Sequence, residues 1–547
     1  MALTLSTLAL SVLVAAAFIG IHKLIQILLR PITSPLRYVP GPPNSSLLYG
    51  NSRDLARVGF SDMVLAWFQA YGHVFRYRVF LNNEHLVTTD SRALHHILTQ
   101  PDIFGKSGRV SPLLGKGLLA AEGEQHRNQR HVMNPAFGPA QIRELTSLFL
   151  EKSLQLRDVW MSQIEQQDDV APINVADGLS KMTLDVIGLT GFNYEFDALN
   201  PNGKPNELNE AFSMIFGTGD GKGGRRTVLN LLELYIPRLR QILPRRRNKP
   251  VSNAHRIMRR IGAQLIEEKK REILEEAASH GPGAAPSRQD VRGRDLLSLL
   301  IKANMAKDVP EGQRMSDEDI LAQVPTFLVA GHETTSTATT WCLFALTQAP
   351  AVQKKLREEL LSVGTDMPTM DELNALPYLD AVVAETLRVH SPVPQTARVA
   401  KRDDVVPLDK PFMDSNGKMQ DTIRVPKGTF AIIPIMAVNK SKAIWGEDAD
   451  EFRPERWEKL PEGAANIPGV WGHILTFLGG PRACIGFRFS LVEMKALIFA
   501  LVRAFEFTLA VPADDIIAKS VVVRRPYLRN DQKKGVQMPL IMKPVRL

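Results

Sequence analysis

FLGGPRACIGFRFS, residues 477 to 490, decides how this chain is read. Cys484 sits in a glycine-rich stretch, with Gly479, Gly480 and Pro481 making a tight turn and Gly486 allowing a second close backbone approach. The apolar residues from Phe489 onward read as a helix. A thiol at the mouth of a helix, near Arg482, meets backbone N–H groups and positive charge, and both favour the thiolate. A thiolate held this way, with no neighbouring Cys or His, suits a metal whose other ligands are not supplied by protein. Haem iron is the obvious candidate. The competing reading is a small buried hydrophobe, the ordinary fate of a lone cysteine. That reading fits the other cysteine, Cys342, inside the apolar run TTWCLFAL.

The composition sets the outer bounds. The chain has 547 residues, 44% of them hydrophobic and 23% charged, which is ordinary for a folded globular protein. Length alone suggests roughly three or four domains, but no break supports that number. The net charge of +9 is mild and spread along the chain. It suits a membrane surface or an acidic protein partner better than nucleic acid, which is excluded as a dedicated partner. Two cysteines do not make a disulfide framework, so a reducing compartment is the simpler setting.

The run LTLSTLALSVLVAAAFIGI, Leu3 to Ile21, is apolar and uncharged. It approaches the roughly 20 residues that span a bilayer. Lys23, Arg30 and Arg37 follow it and no basic residue precedes it, so the charge rule puts the remainder in the cytosol. The expectation is a single-pass transmembrane helix in residues 1–29, a stiff proline-rich hinge in 30–50 around YVPGPPNSS, and a catalytic domain in 51–547.

Most of the body reads as helix. The longest segment is MSDEDILAQVPTFLVAGHETTSTATTWCLFALTQAP, Met315 to Pro350, with a cap at Ser316 and Asp319 and a stop at Pro350. Its apolar middle marks it as central and buried, and Pro325 and Gly331 predict a kink or local opening. VFRYRVFL near Val74 and TFAIIPIMAV near Thr429 read as strands, while GTGDGKGGRR (217–226) and ASHGPGAAPSRQD (278–290) read as loops and PRRRNKP at Pro244 as a solvated surface. Two tempting motifs fail. GDGKGG at Gly219 follows no strand, and HETTS at His332 lacks the second histidine of a zinc protease.

Phe477, Gly480, Arg482, Cys484 and Gly486 together match F-x-x-G-x-R-x-C-x-G, which resembles the haem-binding loop of the cytochrome P450 superfamily. Three further elements resemble that family in its order: AGHETT (Ala330 to Thr335), ETLR (Glu385 to Arg388) and FRPERW (Phe452 to Trp457). The resemblance covers essentially the whole chain and is closest to membrane-bound fungal members. It implies a mainly α fold with a smaller β region, the P450 fold, preceded by the transmembrane helix.

The same resemblance implies residue roles. Cys484 is the metal ligand, the proximal thiolate of haem b, and it pushes electron density onto iron to favour O–O cleavage. Phe477 packs beside the haem, and Arg482 pairs with a propionate. Arg130 in GEQHRNQR and Arg398 in QTARVA are further propionate ligands. His126 stands where the family usually has Trp. Glu385, Arg388 and Arg456 form a buried structural network. Glu333 and Thr334 are the acid–alcohol pair that delivers protons, set against a reading in which the Thr bonds back to its helix and the Glu pairs elsewhere. Ala330 and Gly331 leave room above the iron.

Substrate contacts are expected from Ile103 to Leu119, Ala211 to Phe216, Phe327, Ala330, Val393 to Thr396 and the tip near Tyr527 to Asn530. These apolar stretches suit a lipophilic substrate, with a terpenoid of fungal secondary metabolism as the leaning. The chain has no flavin or nicotinamide motif, so electrons come from a separate NADPH-cytochrome P450 reductase, with cytochrome b5 as a second donor. The expected location is the endoplasmic reticulum membrane. Two alternatives remain: a haem-thiolate isomerase or dehydratase acting on hydroperoxides, and a non-catalytic haem-binding membrane protein.

Overall fold

The computed structural model describes residues 32–107, 117–166, 171–203, 206–208, 210–211, 249–279, 295–305, 314–520 and 522–545, with scattered positions between 11 and 29. The chain divides into two compact units. The smaller comprises residues 1–105 and 395–437, the larger 106–394 and 438–547.

The smaller unit is built on a sheet of order β1-β2-β8-β5-β3. Its strands are β1 (Val74–Val79), β2 (Asn83–Thr88), β3 (Phe104–Lys106), β5 (Thr396–Ala400) and β8 (Phe430–Ile433), and a separate hairpin of β6 (Asp404–Met413) and β7 (Met419–Val425) belongs to the same unit. β1 and β2 pair antiparallel, from Val74 opposite Thr88 to Val79 opposite Asn83. Helix α1 (Phe60–Tyr71) covers β1, with Phe68 edge-on to Phe75 at 4.8 Å. Helix α2 (Ser91–Thr99) starts at Asp90, whose carboxylate accepts the Ala93 N–H at 3.0 Å. TFAIIPIMAV is not one strand. Pro434 lacks the N–H that a ladder needs, and the chain turns helical from Ile435.

The proline-rich segment is tied down within this unit. The Pro40 carbonyl accepts the Arg76 N–H at 2.8 Å, and Asn51 donates its amide to the Pro43 carbonyl at 2.8 Å. The transmembrane expectation is corrected. Among the described residues no helix is long and apolar enough to cross a membrane. Leu3 to Leu10 of the run lie outside the described residues, as do 217–226, 244–248 and 280–290.

The larger unit is helical, with a few short strands. Helices α3 (Gly123–Met133), α4 (Pro139–Glu165) and α5 (Val175–Phe192) lead to α6 (Lys249–Ser279). The long central segment is two helices, α7 (Asp317–Leu321) and α8 (Gln323–Gln348), broken at Ala322. Ser316 caps α7 by accepting the Asp319 N–H at 3.1 Å. Pro325, with no N–H to give, explains why the break lies just before it. Gly331 marks no second break. A Cβ there would lie 2.8 Å from Ile187 of α5, so the glycine lets α5 and α8 pack closely. Helices α9 (Pro350–Leu361), α10 (Pro377–Val389) and α11 (Phe487–Ala504) complete the bundle. α11 packs on α4 through Phe489 and Phe149, edge-on at 4.8 Å. The strands here are β4 (Ala171–Asn174), β9 (Phe505–Leu509) and β12 (Pro539–Pro544), with a separate hairpin of β10 (Ile516–Ser520) and β11 (Arg524–Leu528).

Candidate active site

The loop before α11 is rigid for identifiable reasons. Gly480 has φ +70° and opens a short 3-10 turn, Gly480–Arg482. A side chain at Gly479 is impossible, because a Cβ would fall 1.7 Å from the Pro468 carbonyl oxygen. The close approach is there and not at Gly486, where a Cβ would meet Phe137 at an ordinary 3.6 Å. Gly486 instead caps α11. The Cys484 N–H donates to the Phe477 carbonyl at 2.9 Å, fixing the thiol relative to the loop. Phe477 itself packs between Trp471 at 5.9 Å and Phe487 at 6.1 Å.

Cys484 is surrounded by protein, yet its own surface is exposed, so it borders an internal space. Burial pushes its thiol up, while the Gly486 N–H and the Arg130 guanidinium favour the thiolate. Cys342 is different. It is fully buried in α8, and burial drives its thiol up to about 12.

Basic groups gather around this loop. Arg130 donates to the Ala483 carbonyl at 2.7 Å. Arg482 is buried and pairs with Glu122 at 2.9 Å. Lys106 donates to the carbonyls of Leu118 at 2.8 Å and Ala121 at 3.2 Å. Buried His126 is pushed down to about 4, first by burial and then by Lys106, Arg482 and Arg130, against which Glu122 acts alone. Three cations and one carboxylate around a histidine leave a local excess of positive charge, with Arg482 buried and Lys106 and Arg130 half-buried. Such a cluster suits an anionic group beside the thiol. Lys106 and Glu122 carry no sequence signal of their own, because the folded chain rather than spacing brings them to Arg482.

Arg398 lies on β5 in the smaller unit, buried, with its guanidinium donating to the Ala397 carbonyl at 3.0 Å.

The Glu385–Arg388 pair is buried at 0% exposure for both side chains. Arg388 donates Nε and Nη2 to Glu385 at 2.7 and 2.8 Å. Its remaining donors reach the carbonyls of Asn439 at 2.9 Å, Ala449 at 2.6 Å and Glu451 at 2.9 Å. Arg456 joins Glu385 at 3.4 Å and Asp448 at 2.8 Å, and Trp457 donates its indole N–H to Glu385 at 3.1 Å. The Arg456 hydrogen bond holds the Asp448 carboxyl below its ordinary value. The three sequence-predicted members of the network therefore meet.

On α8 the Thr334 hydroxyl donates to the Ala330 carbonyl at 2.7 Å. Glu333 pairs with Arg525 of β11. Both contacts match the competing reading of this pair, in which the Thr bonds back to its helix and the Glu pairs elsewhere. Ala330 is exposed although it lies in the middle of a mostly buried helix. Phe327, one turn earlier, packs against Phe137 at 5.9 Å and Phe192 at 6.2 Å. Of the other expected substrate contacts, residues 108–116 and 212–216 lie outside the described residues. Tyr527 is buried, and Val522, just before β11, is exposed.

Beside the cysteine loop lies a groove of about 970 Å³ bordered by Trp471, Phe487 and Arg488. Lys355 and Lys495 on its wall are matched by Glu359, Asp380 and Glu458, so its charge is mixed rather than uniformly basic.

The sequence profile of the family described as Cytochrome P450 matches residues 40–529. The chain is a cytochrome P450. It is 55% identical to Cytochrome P450 monooxygenase 205 of Postia placenta, over 100% of this chain and 99% of that protein. Cytochrome P450 monooxygenase 128 of the same fungus is 54% identical over 95% of both chains. Cytochrome P450 monooxygenase claO of Ampulloclitocybe clavipes is 38% identical over 87% of both. The P450 reading as a monooxygenase therefore stands, with haem iron held by a cysteine thiolate. Cys484 and its basic surround fit that group, the thiol by its open position and the cations by their unbalanced charge. The family also implies a redox partner and a small-molecule substrate.

Proposed function

We propose that this P450 oxidises a lipophilic small molecule with electrons passed from NADPH by a separate diflavin reductase. When bound, haem supplies the iron on which dioxygen is reduced and one oxygen atom is transferred to substrate. Cys484 would hold that iron from a loop fixed by Gly479 and by the Phe477 carbonyl. Arg130, Arg482 and His126 would bind and orient the propionates, with Arg482 shared between a propionate and Glu122. Exposed Ala330, in the middle of the mostly buried α8 and one turn from the packed Phe137, Phe192 and Phe327 rings, supports a lipophilic substrate. A terpenoid of secondary metabolism is the first class to screen.

Glu333 and Thr334 would hold and pass protons. Thr334 spends its own proton on the Ala330 carbonyl, so its oxygen serves as an acceptor, and the mobile proton belongs to Glu333. The observation that carries the overall reading is the open thiol of Cys484 inside a family-matching loop. It is tested by the carbon monoxide difference spectrum of the reduced protein beside Cys484→Ala. A strongly red-shifted Soret band, absent from the variant, is the expected result. A band of the histidine-ligated type in intact protein would overturn the assignment.

A further inference from the structure

Arg525 reaches Glu333 from 192 positions away in the sequence. Its Nε and Nη2 both meet the same carboxylate oxygen, Oε1. Among the described residues no hydrogen bond is made to Oε2. The side chains are 21% and 14% exposed, so the pair is neither a solvated surface contact nor a sealed one.

Each end of the pair is held firmly. Glu333 stands on α8, where the His332 ring bonds the Leu328 carbonyl at 2.7 Å and the Thr183 hydroxyl of α5 donates to the His332 carbonyl at 3.1 Å. Arg525 stands on β11, which is pinned one residue earlier. The Trp341 indole N–H donates to the Arg524 carbonyl at 2.7 Å, and the Arg524 N–H donates to the Pro392 carbonyl at 2.8 Å. Tyr527 also bonds Arg525, and together with Glu333 it keeps the guanidinium cationic despite burial. The titratable groups facing the pair are Tyr527 on β11 and His332 on α8, and burial pushes His332 down from its ordinary value.

We infer that Arg525 is a positioning residue for the monooxygenase reaction. It clamps Oε1 of Glu333 and so presents Oε2 as the oxygen that takes up and passes on the proton. A carboxylate with two free oxygens rotates and samples several directions. One oxygen fixed by a two-donor guanidinium fork leaves a single oxygen with a defined direction. This inference rests on the reading of Glu333 as the proton carrier.

The test needs no identified substrate. The haem-loaded full chain is driven by NADPH and a diflavin reductase, and the share of consumed oxygen released as hydrogen peroxide rather than water is followed against pH. Water formation needs more protons than peroxide release, so poor proton delivery raises the peroxide share. Glu333→Gln should lower the water-forming rate about 100-fold, the low end for losing a general acid. Arg525→Met should lower it about tenfold, because the acid remains but is misdirected. It should also change the pH profile of the peroxide share, which a merely structural loss would not. Arg525→Lys keeps the charge but not the fork, and should fall between Met and Arg. A wild-type peroxide share and pH profile in Arg525→Met, beside an impaired Glu333→Gln, would overturn the positioning role and leave Glu333 standing. An unimpaired Glu333→Gln would overturn both. If Arg525→Met fails to retain haem, Arg525→Lys decides alone: an intermediate share supports the clamp and a wild-type share overturns it.

Discussion

Two carboxylate–guanidinium sites in the larger unit are built to opposite specifications. Glu385 receives Nε and Nη2 of Arg388, Nε of Arg456, the Trp457 indole and the Arg453 backbone N–H. Both guanidinium groups also donate to backbone carbonyls, and Arg456 donates to the Asp448 carboxylate as well. Glu333 meets one arginine through one oxygen. A saturated buried network can only be intact or broken, which makes it a structural lock. A sparsely bonded pair at the edge of the interior costs little to part, which leaves it free to take up a proton. The number of donors per carboxylate thus separates a residue that holds the fold from one that works in it.

Arg388→Ala is the harshest way to break the comparison. It removes two of the five donors to buried Glu385 and takes the guanidinium away from three carbonyls, and a loss of about 3–5 kcal/mol is expected. The yield of haem-loaded folded protein and the urea midpoint should both collapse. Arg525→Met should cost less than Arg388→Ala, because its pair is 21% and 14% exposed rather than sealed, and should leave the carbon monoxide spectrum unchanged. Equal losses in the two variants would erase the distinction.

Glu493 sharpens the comparison from a third side. It lies on α11 at 0% exposure, and among the described residues no ion pair involves it. Burial holds its carboxyl well above the ordinary range, opposed by the Thr335 hydroxyl. The unfolded carboxyl titrates near about 4.3. Between that value and its raised folded value the unfolded chain has released a proton that the folded chain keeps, so stability falls as pH rises through the window. Below it the contribution is fully present. Glu493→Gln should flatten this slope, seen as a thermal midpoint that gains on wild type as pH rises. A parallel pair of curves would mean that Glu493 is ionised in the folded protein. The smallest effect is expected from His126→Ala, which should speed haem dissociation by less than Arg130→Ala, because the neutral ring contributes a single hydrogen bond of about 1 kcal/mol.

The parts of the site that were legible in the sequence are those written in short spacings. The cysteine loop and the Glu385–Arg388 pair lie within a turn or two of backbone, where glycines and helical periodicity leave a pattern. Arg456 was reachable because PERW repeats a family motif. Arg525, Lys106 and Glu122 were not legible, since each acquires its meaning from a partner on a distant element and looks like any charged surface residue in its own stretch. The break at Ala322 was half visible in Pro325, whereas Gly331 misled. An isolated glycine in a helix signals either an opening or a close neighbour, and only the position of Ile187 shows which. The apolar run at the N-terminus read as a spanning helix, yet among the described residues none is long and apolar enough to cross a membrane.

The contrast between the two cysteines has a practical side. Cys342 is sealed and its thiol is driven up to about 12, so alkylating reagents will pass it by in folded protein. Cys484 is reachable only until iron claims its sulfur. A maleimide added to a folded preparation will therefore tag the empty molecules and no others, and the chain carries its own gauge of cofactor loading.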